Sequence, residues 1–221
     1  MDISCLRFRT IIIIVLLAFP LLVFGQKNPE DYTIYSKYLK IYQDNKKAKL
    51  SYVIRVSTDY GKKSYGSDIG DILQEIRGYL KGDKSDGSAF FRFEAFKDTL
   101  KSDTLWLPLM TRLQERMKHE YRIQNQFSNN LQITMLTYNH YIEYFDKTNS
   151  RDIDNGWASF HEDYPDKPLL INLSEIVNDG KRAVFYFSSQ CGGLCGVGQL
   201  VLFYKDKSEW RFVLVIPMWE S

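Results

Sequence analysis

Apolar positions recur at threes and fours near the start of the chain. Tyr32, Tyr35, Tyr38, Leu39 and Tyr42 share one face of a predicted helix over residues 28–46. Asn28 can cap it, Pro29 suits its first turn, and Glu30 and Asp31 favour its positive end. A tyrosine stripe of this kind reads as a core face with hydroxyls at its rim; the competing reading is a ligand platform. Residues 50–58, with Val53, Ile54 and Val56, read as a strand. A second stripe, Ile69, Ile72, Leu73, Ile76, Tyr79 and Leu80, predicts a helix capped by Ser67 or Asp68 and stopped by Gly82. Between 89 and 127 the pattern is mixed. Phe90, Phe91, Phe93 and Phe96 fit either a strand or a helix. Ser102, Asp103 and Thr104 open a helix carrying Leu109, Leu113, Met117 and Tyr121, with Pro108 in its first turns. Leu131, Ile133 and Met135 alternate as a strand does, and residues 139–145 and 154–164 read as short helices, the second turning Trp157 and Phe160 inward.

The last forty or so residues carry the strongest pattern. Asp179-Gly180 between two apolar runs predicts a type I′ hairpin, pairing a strand near 169–177 with one over 182–189. Residues 199–204 and 210–216 continue the meander. The last strand places Trp210, Phe212, Leu214 and Ile216 on one face and Arg211, Val213 and Val215 on the other, so both faces are covered, and Pro217 marks its end. Gly192, Gly193, Leu194, Gly196 and Gly198 form a glycine-rich loop between the first two meander strands. Cys191 and Cys195 bracket its bend, close enough in sequence to meet the Cα separation of a disulfide.

Residues 1–25 change the picture of where this happens. Arg7 and Arg9 precede an apolar run over 11–24, and Val23 and Gly25 sit at the small-residue positions before Gln26, the pattern of a secretory signal peptide cleaved after Gly25. The run is too short for the roughly 20 residues of a membrane span, so no transmembrane anchor is expected after cleavage. Cys5 precedes the run and cannot be a lipidated lipoprotein cysteine. Of the 221 residues, 196 remain, the size of a single domain over 26–221. The net charge of +2 for the whole chain is too small for a nucleic-acid partner to be the main business. Cys191 and Cys195 are then the only cysteines, and an even pair in a secreted or periplasmic protein is read first as a disulfide.

The run Tyr186-Phe-Ser-Ser-Gln-Cys-Gly-Gly-Leu-Cys-Gly-Val-Gly198, with Leu202, Trp210 and the closing Trp219-Glu-Ser221, resembles a family of bacterial secreted proteins. Their C-termini carry a Tyr…Cys-Gly-x-Leu-Cys-Gly-x-Gly…Trp…Trp-x-Ser signature. Trp157, Phe160, Tyr164-Pro165 and the early Tyr32, Tyr35 and Ser36 fit the same family. The resemblance supports the fold and adds no chemistry.

Catalytic sets are thin. His119, His140 and His161 share no metal-ligand spacing with each other or with a cysteine, so no zinc site and no cofactor is expected. Asp83 and Asp86, in the polar loop 81–88, lack calcium-loop spacing. No Gly-x-Ser-x-Gly is present, and His161-Glu162-Asp163 has no evident acid–base partner. Gly193, Gly196 and Gly198 lie between strands, away from any helix that could face a phosphate. Two readings of Cys191 and Cys195 remain. In the first they clip a loop that contacts a protein or small-molecule ligand, in a non-enzymatic exported protein. In the second they serve a thiol-dependent envelope enzyme, with His161 as base, or a redox protein, although the spacing is one longer than the usual Cys-x-x-Cys. The expected fold is α+β, a C-terminal antiparallel meander with N-terminal helices packed on the sheet, similar by analogy to cystatin-like and nuclear-transport-factor-like cone folds.

Overall fold

The computed structural model describes residues 28–46, 50–58, 65–81, 96, 98–99, 102–128, 130–145, 153–166 and 168–221. The leader and the 81–88 loop beyond Lys81 lie outside these residues, as do Phe90, Phe91 and Phe93. In chain order the described elements are α1 (Pro29–Lys46), β1 (Ser51–Arg55), β2 (Ser57–Thr58), α2 (Tyr65–Lys81), α3 (Trp106–Arg116), β3 (Tyr121–Arg122), β4 (Gln132–Leu136), α4 (Tyr138–Phe145), α5 (Ile153–Asp163), β5 (Leu169–Leu173), β6 (Val177–Asn178), β7 (Arg182–Gly192), β8 (Cys195–Asp206) and β9 (Glu209–Glu220). The class is α+β with the C-terminal meander. Seven strands form one sheet in the order β4-β1-β5-β7-β8-β9, with β6 also paired to β7. The meander half is antiparallel as expected. The N-terminal half adds something unforeseen, because β1 runs parallel to both β4 and β5.

Both faces of the sheet are covered. On one face α1 lays Tyr32, Ile34, Tyr35, Tyr38 and Leu39 against Tyr52, Ile54, Phe185, Phe187, Val201 and Phe203. The tyrosine stripe is therefore core. Its hydroxyls end at the rim or on backbone: Tyr35 donates to the Ser174 carbonyl at 2.5 Å and Tyr32 accepts from the Gln124 amide at 2.8 Å, while Tyr52 of β1 donates back to the Leu39 carbonyl of α1 at 3.0 Å. On the opposite face α2 and α3 cover the meander, with Ile72, Leu73, Trp106, Leu109 and Leu113 on Val184, Tyr186, Leu200, Leu202 and Ile216. α4 and α5 cover the parallel strands there, with Trp157 and Phe160 on Val53 and Leu170. A polar seam separates these two helix pairs. The Arg55 guanidinium lies 3.5 Å from the Tyr141 ring centroid and donates to Asn172 Oδ1 at 3.2 Å, and Asn172 Nδ2 donates to Ser188 Oγ at 3.1 Å.

Four expectations need correction. Residues 117–121 do not extend α3, because the chain turns after Arg116 so that Tyr121–Arg122 can pair with Ser57–Thr58. Asp179-Gly180 is not a type I′ turn. Only Gly180 has positive φ (88°), and Asp179 holds the corner through its side chain, accepting the Lys181 and Arg182 amides at 2.9 and 2.7 Å. The strict alternation over β9 fails because Val213 is an extra residue opposite Leu202/Phe203. The bulge sends Trp210 to the α1 face and Ile216 to the α2–α3 face. Finally, β9 runs through Pro217 to Glu220. It is the edge strand, so no further strand requires the missing N–H.

The buried tyrosines predict an alkaline transition. Burial first, then neighbouring phenols, pushes the Tyr35 hydroxyl far above the usual tyrosine range, and burial dominates the rise at Tyr38, Tyr52 and Tyr121. These groups stay protonated in the fold but ionise near pH 10 once unfolded. Their contribution is complete below that pH and is lost as pH rises through the higher folded values. Tyrosinate absorbance is expected to show this group ionising only in step with loss of the circular dichroism of the fold. Smooth titration of all fifteen tyrosines near pH 10 in a folded protein contradicts it.

Candidate binding site at the hairpin tip

β7 and β8 form a long hairpin, paired from Arg182 with Tyr204 out to Gly192 with Cys195. The expected glycine-rich loop is thus mostly strand, and the turn itself is only Gly193 and Leu194. Cys191 and Cys195 are disulfide-bonded across it, with Cα atoms 5.3 Å apart. A closed loop this short contributes stability on the order of 2 kcal/mol through chain entropy. Leu194 is 90% exposed, by far the most exposed of the large apolar side chains among the described residues.

The stem behind this tip is held from both sides. On the α2–α3 side Trp219 lies flat on β8. A Cβ at Gly196 would meet its ring at 3.0 Å, and one at Gly198 would come within 2.6 Å of Cδ1 and closer still to Nε1 and Cε2. The Trp219 indole N–H donates to the Tyr186 hydroxyl at 2.9 Å. Ser221 exchanges two backbone bonds with Gly196, at 3.0 and 3.2 Å. On the α1 side Gln199 Nε2 donates to the Tyr38 hydroxyl, and Tyr42 and Ser189 share a hydrogen bond of 2.8 Å. Further down, Ser174 Oγ accepts the Tyr186 amide at 2.8 Å. Most of the sequence signature therefore has a mechanical role. Tyr186, Gly196, Gly198, Trp219 and Ser221 build the stem, and Cys191 and Cys195 close it. Gly193 and Leu194 form the turn, and Leu194 faces solvent.

The other candidates do not converge on the tip. His119 and His140 are exposed, on the turn after α3 and on α4. His161 is half-buried on α5, with its ring 5.7 Å from that of Trp157. Among the described residues no group of three His, Cys, Asp or Glu side chains is placed to hold a metal ion, and no described helix is long and apolar enough to cross a membrane. With the sulfurs bonded to each other, neither cysteine offers a thiolate in this state. The packing role of Trp219, quoted above only as part of the C-terminal signature, is what sequence reading missed. Its spacing from Gly198 was in view, but only the edge position of β9 shows that the indole replaces the absent glycine side chains. Comparison with family models, with curated proteins and with solved structures finds no match.

Proposed function

We propose that this is an exported, non-enzymatic binding module whose contact point is the Gly193-Leu194 turn. The observation that carries this is a fully presented Leu194 on a hairpin braced at every level, by a disulfide, by Trp219 and by α1. A recognition loop fixed in advance loses little conformational entropy on binding, and an apolar side chain on its end supplies buried area when covered. Export agrees with the Arg7/Arg9 leader and with the need for an oxidising compartment to form the clip.

The second reading, a thiol enzyme or redox protein, draws on the exposure of Cys195 at the same tip. One experiment separates the two. In protein purified from the exported fraction, thiol labelling is expected to give no free sulfhydryl before reduction and two after it, and crosslinking from position 193 is expected to yield a defined adduct that Leu194→Asp reduces about tenfold without shifting thermal stability. Two free thiols in the native protein favour the enzyme. An adduct indifferent to Leu194→Asp removes the tip as the contact point.

A further inference from the structure

Independently of the tip, a cleft of about 670 Å³ runs between α1, the side chains of Gln126, Ser128 and Asn130, and the start of β9. That is the size of a small-molecule site. Three cations line it, Lys37, Lys40 and Arg211, and none of its described lining residues is a carboxylate. Its apolar wall is Phe212 and Ile41 over Trp210. Its remaining polar lining is neutral, including Ser36, Gln126 and Asn130.

Two features suit this cleft to a ligand. The first is Phe212, 36% exposed although its ring lies 5.9 Å from that of Phe203 and 6.2 Å from that of Tyr38. The β9 bulge sets Phe212 on the α1 face, where the fold leaves it half covered. The second is the state of the cations. Lys37 is pinned, donating to the Trp210 carbonyl at 2.9 Å and to Glu209 at 2.6 Å. Lys40 and Arg211 make only solvent-facing pairs, with Asp44 at 2.8 Å and Asp206 at 3.1 Å. Exposed pairs contribute at most about 1 kcal/mol, so an incoming anion replaces them at little cost. A guanidinium and an ammonium flanking an aromatic surface recognise one anionic head joined to an apolar body. Three cations in a chain this close to neutral do not make a polyanion track.

We propose that the cleft binds an amphipathic organic acid, with its carboxylate held by Lys40 and Arg211 beside Lys37, and its hydrocarbon part lying on Phe212, Ile41 and Trp210. The probe is dodecanoate below its micelle-forming concentration, titrated into the purified protein by calorimetry. Saturable one-to-one binding is expected, and Lys40→Glu with Arg211→Glu is expected to weaken it about tenfold or more, whereas Lys118→Glu on the far side of the sheet leaves it unchanged. On the unaltered protein, raising the salt concentration is expected to weaken binding. Dodecyl maltoside and acetate are each expected to bind at least tenfold more weakly. The salt and head-group arms decide the matter even if the double variant fails to fold. Absence of dodecanoate binding overturns the proposal. So does equal binding of the neutral detergent, which reduces the site to an apolar patch, or equal binding of acetate, which reduces it to an anion contact.

Discussion

Gly198→Ala is expected to lower stability by about 3 kcal/mol. The new methyl falls inside the Trp219 ring, with the indole nitrogen as its nearest neighbour, so either the ring or the strand must move. Overpacking of this kind costs about 1–3 kcal/mol. Displacing the ring also breaks its bond to the Tyr186 hydroxyl, worth about 1 kcal/mol. Gly192→Ala is the internal control. Its Cβ would sit 3.9 Å from that of Cys195, an ordinary contact, and a change within about 0.5 kcal/mol is expected. Urea denaturation of the two variants, with the Trp219 indole N–H followed by NMR, checks both. Equal stabilities would mean that Trp219 does not rest on the strand.

Phe185→Ala has the largest expected effect, a loss of about 3–5 kcal/mol. Phe185 is fully buried at the centre of β7. Its ring is edge-on to Tyr35 at 5.2 Å and to Tyr38 at 5.7 Å, and it lies 6.5 Å from Phe203. Removing it leaves a cavity between α1 and the sheet that these three packed rings cannot close. For a domain of this size the thermal midpoint is expected to fall by about 10 °C, with the α1 tyrosines gaining solvent access. A fall under about 1 kcal/mol would mean that α1 is not seated on β7.

Local chemistry made much of this fold legible. α1 begins at Pro29 as its cap and first-turn residues predict, because Asn28 Oδ1 accepts the Glu30 amide. The two-sided apolar pattern of residues 210–216 signalled a strand covered on both faces, and β9 does contribute to both cores, with Trp210 on the α1 face and Ile216 on the α2–α3 face. Three things escaped because they depend on partners distant in sequence. The parallel pairing of β1 with β4 and β5 leaves no mark on any of the three strands. The bulge at Val213 arises from matching β9 to β8, so a strict period of two misassigned Trp210 and Ile216 to one face. The polar seam of Arg55, Asn172 and Ser188 joins residues more than a hundred positions apart at its ends. At the candidate site the cysteines and glycines were visible as a motif, but their division of labour was not. Glycine content suggested a loop, whereas Gly196 and Gly198 are strand residues kept bare for an indole.

Ser221 closes the ladder against Gly196, a few residues from Leu194. Any segment fused after Ser221 would therefore emerge alongside the hairpin turn, so an affinity handle placed there would stand in front of the surface it was meant to help study.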